Sequence, residues 1–334
     1  MRTIAFFNNK GGVGKTASVY HIAWMMAELG HNVLAADLDP QANLTSMFLD
    51  DERLEELWPE ELWPEEKKHQ SVLPCISPIL EGIGDIAPAH TERIQDNLSL
   101  IPGDLGLSQF EDRLSDSWPR CLDDDPAAFR SITAFYRIIY AAAENIGTDI
   151  VLIDVGPNLG AINRSALIAA DFVISPLAPD LYSLQGLKNL GPTLKNWRLG
   201  WEQRLKHQPD NLNIPLPSGR MMPAGYIVTQ HVERKSRPVK AYRKWVERIP
   251  ATYLEYILEQ TTDSVPEDDG SNRIGLVRHY QSLMPMAQEA RKPVFFLKPA
   301  DGAIGSHAQS VSKCYMDFKK MTETILQRTE PENH

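Results

Sequence analysis

The stretch that decides the fold is Ile4–Thr16, IAFFNNKGGVGKT. Its first four residues, Ile4–Phe7, are a short apolar run that reads as a buried β-strand leading straight into glycines. Behind the glycines, helical periodicity predicts a helix over Lys15–Leu29. A glycine-rich turn between strand and helix is the setting that a phosphate-binding loop requires. Gly11, Gly12 and Gly14 let the backbone curl, with Val13 between them, so that successive N–H groups point at phosphate oxygens. The helix N-terminus beyond adds partial positive charge. On this reading Lys15 bridges the β- and γ-phosphates of ATP, and the Thr16 hydroxyl ligates Mg2+.

Working outward, short apolar runs alternate with helical periodicity, which predicts an α/β fold, doubly wound, with a mainly parallel sheet. Strands are expected at Thr3–Asn8, Asn32–Asp37, Leu98–Pro102, Asp149–Asp154, Phe172–Pro176 and Ala224–Thr229. Helices are expected at Lys15–Leu29, Ala127–Asn145, Leu181–Trp197, Val239–Gln260 and Ser306–Arg328. Residues 1–334 read as a single domain, with an acidic insertion at about 50–70 and a flexible acidic loop at about 261–271. The insertion holds a tandem EELWP, Glu55–Pro59 and Glu60–Pro64, whose prolines prevent one uninterrupted helix. It is either a plain acidic surface segment or a docking surface built on exposed Trp58 and Trp63.

The net charge of −10 excludes a polycation, so any contact with nucleic acid has to come from a local basic patch. Three widely spaced cysteines, Cys75, Cys121 and Cys314, offer neither a disulfide framework nor metal spacing, and fit a reducing cytoplasm. No apolar run reaches a membrane-spanning length, and the N-terminus lacks the pattern of a signal peptide, so no membrane partner is expected. His21 reads as a packing or surface residue, since no His/Cys cluster accompanies it.

The loop departs from the standard Walker A pattern. Asn9 stands where the first glycine is usual, and a second lysine, Lys10, lies near the loop start. The string KGGVGKT resembles the signature of the deviant Walker A (SIMIBI) ATPases, the P-loop group containing ParA, MinD, the nitrogenase iron protein and the arsenite-pump ATPase. Two further strings resemble the same family: VLAADLDPQAN (Val33–Asn43), close to the ParA-branch motif DLDPQGN, and DIVLIDVGPNLG (Asp149–Gly160), which has the form of a Walker B strand. The resemblance implies that Lys10 reaches across a homodimer formed on ATP binding, to the partner's nucleotide. It implies that Asp39 positions the attacking water and that Asp154 holds Mg2+. Taken alone, Asp39 reads equally as a turn residue before Pro40. The family's usual DTPP or DSPP is Asp154-Val155-Gly156-Pro157 here.

Within the family, cluster-ligating cysteines are missing, and the last residues, Met321–His334, carry acidic groups rather than a basic membrane-binding helix. The chain begins at the P-loop strand, so sequence-specific operator reading is not expected. The resemblance thus implies a ParA-like ATPase with slow, partner-stimulated turnover that drives plasmid or chromosome partition, together with a ParB-like activator. Non-specific DNA would be held by the basic segment around Arg237, Lys240, Arg243 and Lys244, where cations three and four residues apart share a helical face. The alternative is the same switch positioning or regulating a protein cargo without DNA.

Overall fold

Strand β1 (Arg2–Phe6) is buried along nearly its whole length because it lies inside a sheet covered on both faces. The structure, a computed structural model, describes residues 1–58, 70–231, 244–260, 270–278, 280 and 283–330. The other strands are β2 (Val33–Asp37), β3 (Glu92–Gln95), β4 (Leu98–Ile101), β5 (Ile150–Asp154), β6 (Phe172–Leu177), β7 (Met222–His231) and β8 (Arg273–Arg278). Among the described residues they form one eight-stranded sheet in the order β3-β4-β2-β5-β1-β6-β7-β8. Every neighbouring pair is parallel except β3 with β4.

Successive side chains of a strand point to opposite faces, and β1 uses both. Ile4 and Phe6 join one core with Val19 and Ile22 of helix α1 (Lys15–Glu28) and with Phe318 and Ile325 of the helix Ser306–Arg328. Ala5 and Phe7 join the other, with Phe110, Phe135, Leu190 and Trp201. That second layer includes helices α5 (Phe110–Arg120), α8 (Ala161–Ile168) and α9 (Leu181–Leu205). Parallel strands release their loops at one edge, so the segments after β1, β2 and β5 gather there.

All six expected strands are present, with ends shifted by a residue or two. The polar edge strand β3 and strand β8 were not foreseen. The helix expected over Ala127–Asn145 is two, Pro126–Ile132 and Ala134–Ile146. They part at Thr133, whose hydroxyl turns back to the Phe129 carbonyl at 2.7 Å. Helix α9 runs eight residues past Trp197 and carries Pro192 inside it. Of the helix expected at Val239–Gln260, residues 239–243 lie outside the described residues, and a new helix begins at Ile249 with Pro250 in its first turn.

Of the insertion expected at about 50–70, residues 50–58 and 70 are described, and the first of these are partly packed. Asp51–Leu57 is a helix capped by Asp50, which accepts a hydrogen bond from the Arg53 N–H at 2.8 Å, and Leu57 is fully buried. Trp58 is half-buried rather than exposed, and its indole N–H donates to the Gly103 carbonyl at 3.3 Å. Trp63 and the second EELWP copy lie outside the described residues, as does 261–269 of the expected acidic loop.

Candidate functional site

The loop after β1 turns through Gly12 and Gly14, at φ +71° and +75°. That left-handed region costs other L-residues about 1–2 kcal/mol, which explains glycine at both positions. Gly14 is the N-cap of α1 and no side chain caps the helix, so its first N–H groups are left for another acceptor. Gly11, Gly12, Gly14, Lys15 and Thr16 line a cavity of about 660 Å³, which Asp39 closes from the side. A Cβ added at Gly11 or Gly12 would meet nothing within 4 Å, so open space lies beside the loop.

Lys15 is only 7% exposed. Burial lowers its pKa, while Asp154 and then Asp39 act against that shift. A buried ammonium with carboxylates on one side and an open cavity on the other suits an anionic ligand.

The parallel register pairs Asp37 at the end of β2 with Asp154 at the end of β5, and Asp154 with Phe6 at the end of β1. The two carboxylates therefore lie side by side next to the glycine loop. Both are fully buried. Asp37 accepts hydrogen bonds from the Thr45 N–H at 2.8 Å and hydroxyl at 2.7 Å, and the Gly103 N–H donates to that hydroxyl at 2.8 Å. A Cβ at Gly103 would lie 2.8 Å from Asp37 Cγ, so only glycine allows this approach. Burial raises the pKa of Asp37, the Thr45 bonds oppose it, and Asp39 adds to the rise. Burial, then the charge of Asp37, raises that of Asp154, against the Thr16 hydroxyl and Lys15.

Both Asp154 oxygens are buried without a hydrogen-bond partner of normal geometry. An orphaned carboxylate beside a second one, facing a serviceable hydroxyl at Thr16, fits a divalent cation. Among the described residues no cluster of three or more His, Cys, Asp or Glu could hold a metal by itself. A cation here would lean on phosphate oxygens and water, as Mg2+ commonly does.

Asp39 is 5% exposed and forms the turn foreseen for it, accepting from the Gln41 N–H at 3.0 Å. It also borders the cavity, so the turn and a role toward a ligand coexist. Gly156 backs it: a Cβ there would lie 3.2 Å from Asp39 Oδ1.

Lys10 stands directly before Gly11 of the loop. Its ammonium is paired with Asp180 of the same chain and sits 5.7 Å from the centre of the Tyr182 ring. Asp180 also caps α9, accepting from the Ser183 N–H at 2.8 Å. Burial pushes the Asp180 pKa up, and the bonds from Lys10 and Ser183, with the ammonium charge, outweigh it and leave the group below its ordinary value. Lys244 is exposed, with its ammonium 5.3 Å from the Trp245 ring centre; Arg237, Lys240 and Arg243 lie outside the described residues.

His21 is a packing residue. Its Nδ1–H donates to the Ala17 carbonyl at 2.7 Å, Nε2 accepts from the Val294 N–H at 3.3 Å, and the ring stacks on Phe318. Burial pushes its pKa down to about 4, partly offset by the Ala17 hydrogen bond, so the ring is neutral.

The sequence reading brought Lys15, Thr16, Asp39 and Asp154 to one place but missed Thr45, Asp180 and Asn163. Asp180 carried a usable signal, as an Asp directly before a helical run. Asn163 and Thr45 carried none, because their partners are far from helical spacing.

The AAA domain family model matches residues 1–207 of the chain. Over 198 residues the chain is 34% identical to protein IncC of Escherichia coli, covering 59% of this chain and 47% of IncC. It is 32% identical over 206 residues to the chromosome-partitioning ATPase Soj of Thermus thermophilus, covering 62% of this chain and 66% of Soj. The chain thus spans about half the length of the one and just under two thirds of the other. Protein DIP2308 of Corynebacterium diphtheriae superposes with a TM-score of 0.73 at 24% identity, over 100% of both chains. Cobyrinic acid a,c-diamide synthase of Mycobacterium smegmatis, with bound ATP analogue and magnesium, gives 0.56 at 21% identity over 98% and 94% of the two chains. At these identities the structural likeness is one of fold.

Proposed function

Because this chain belongs to the AAA domain family and, within it, to the ParA-type partition ATPases, we propose that it is a Mg-ATP-dependent dimerising ATPase that binds DNA non-specifically and drives plasmid or chromosome partition. The observation that carries this reading is the meeting of the glycine loop, buried Lys15 and the orphaned Asp154 carboxylate at one sheet edge.

The α1 N-terminus and the N–H groups of Gly11–Thr16 bind the phosphates, and Lys15 neutralises the β- and γ-phosphate oxygens. Thr16 and Asp154 are the residues that would hold Mg2+, which when bound supplies positive charge to those same oxygens. Asp39 orients the attacking water by accepting its hydrogen bond, which suffices because phosphoryl transfer depends mainly on positioning and electrostatics. Lys10 leaves Asp180 and crosses to the nucleotide of a second copy, where it stabilises charge developing in the transition state. Arg237, Lys240, Arg243 and Lys244 hold DNA phosphates, and two such patches on a dimer gain avidity over one. A ParB-like partner accelerates the otherwise slow hydrolysis.

The test is duplex DNA binding with ATP, ADP or no nucleotide, at low and moderate salt. Binding with ATP alone, weakened by salt and by charge removal at Lys240, Arg243 and Lys244, is the expected result. No binding in any state would refute the DNA role and move the cargo of the switch to a protein.

A further inference from the structure

The loop that follows Asp154 has glycine at position 156, where the family string DTPP or DSPP has a proline. Glycine loses more backbone freedom on ordering than any other residue, so a loop built this way needs an external tie to hold one shape. Asn163, in the first turn of α8, is fully buried and supplies one. Its Nδ2 lies 2.8 Å from the Gly156 carbonyl, 2.6 Å from the Asn158 carbonyl and 3.0 Å from Asn158 Oδ1. Two N–H bonds face three acceptors, so the amide is saturated as a donor. Its own oxygen is buried without a partner. Turning the amide over would place that oxygen against two carbonyls, so the orientation is fixed and the orphaned oxygen is its consequence.

The far end of the tie is anchored. Glu111 of α5 accepts hydrogen bonds from the Ala161 N–H at 2.6 Å and the Ile162 N–H at 2.9 Å, which holds the start of α8 in place. The Asn158 side chain also accepts from the Gly160 N–H at 3.1 Å, closing the loop on itself. At the near end, Gly156 stands against the Asp39 carboxylate so closely that a Cβ would reach 3.2 Å from Oδ1. Hydrogen bonds therefore run from Glu111 of α5 to the start of α8, and from Asn163 to the Gly156 carbonyl, and Gly156 leaves no room for a side chain between itself and Asp39.

We propose that Asn163 is a positioning residue: its amide holds the 155–160 loop against Asp39, and so fixes where Asp39 presents the water for ATP hydrolysis. The inference rests on the role proposed above for Asp39. Without the tie the loop recedes and the carboxylate loses its backing. A reacting group misplaced by about 1 Å can cost about 100-fold in rate. Asn163 touches neither the glycine loop nor Lys15, and the 155–160 loop reaches the cavity through Pro157, so KM for Mg-ATP should move less than kcat.

The test uses the 334-residue chain with Asn163→Ala and Asn163→Leu. The second keeps the side chain's size but has no donor, so a loss shared by both is not the effect of a cavity. Both variants should lower kcat for ATP hydrolysis about 10- to 100-fold while KM for Mg-ATP stays within about threefold. Without nucleotide, backbone amides of residues 155–162 should exchange with deuterium faster than in the wild type, and those of α1 should not. Unchanged exchange at 155–162, or an unchanged kcat in both variants, overturns the positioning role alone. A wild type that hydrolyses no ATP overturns the proposed function and the positioning role with it.

Discussion

Replacing Asp154 with Asn should make the nucleotide-free protein more stable at pH 8, although a buried polar side chain is being altered. Asp37 and Asp154 end neighbouring parallel strands in register, and both are fully buried. Neighbouring strands lie about 4.8 Å apart. At an effective dielectric constant of about 20, like charges at that separation repel by about 3 kcal/mol. Lys15 and the Thr16 hydroxyl offset part of the cost of ionising Asp154, yet burial and the charge of Asp37 still leave its pKa raised. A carboxyl whose pKa is higher in the folded chain binds more protons there than in the unfolded chain. Its stability contribution is therefore complete below the unfolded value, about 4, and is lost as pH rises toward the folded value. At pH 5 the variant should melt higher by less than half of the full difference, since only about one pH unit of the loss has accrued above the unfolded value. At pH 8 the variant should melt about 4 °C higher, which is the shift that about 3 kcal/mol gives a chain of this length. Millimolar Mg2+ added with ADP should raise the melting temperature of the wild type at pH 8 more than that of the variant, because the cation, held in part by phosphate oxygens, relieves the same repulsion. Thermal unfolding of both proteins across pH 5–8, with and without Mg2+ and ADP, reads all three effects. A variant less stable than the wild type at pH 8, or one that responds equally to Mg2+ with ADP, would refute the reasoning.

Other perturbations have comparably definite outcomes. Lys15→Ala should weaken Mg-ATP binding at least about 100-fold by calorimetry, since it removes the buried cation facing the phosphates. Asp180→Asn should release Lys10 and tighten the ATP dimer about tenfold by sedimentation. A half-exposed ion pair contributes about 0.7 kcal/mol, and each dimer breaks two of them; no change would mean that Lys10 does not have to leave Asp180. Gly14→Ala should cost about 1 kcal/mol in stability from its positive φ alone, because a Cβ there meets Thr229 at an ordinary 3.6 Å. A much larger loss in thermal unfolding would show that the site lacks this space.

What was legible in the sequence follows from what is local. The strand–glycine–helix order around Gly14 and the buried runs ending at Asp37 and Asp154 are contiguous signals, and each appears where expected. Strand β3 was missed because ERIQ alternates no apolar face; it is an edge strand held by pairing with β4. Helix α5 was missed because its Phe110, Leu114 and Ser117 face is short and ends at Pro119. Thr45 and Asp180 act through partners that only the fold brings near, Gly103 to Thr45 and Lys10 to Asp180, whereas Asn163 bonds back five and seven residues across an irregular loop that carries no periodic signal. The sequence leaves Trp58 in either a plain acidic surface segment or an exposed docking surface, and its hydrogen bond to Gly103 is a tertiary contact that a short local string does not report.

The most direct test of the central claim is the mass of the protein in solution by sedimentation equilibrium, with Mg-ATP, with Mg-ADP and without nucleotide, for the wild type and Lys10→Ala. The account predicts twice the monomer mass for the wild type with ATP alone, and a monomer in every state for the variant. A wild type that stays monomeric with ATP, or a Lys10→Ala protein that dimerises as the wild type does, would contradict it.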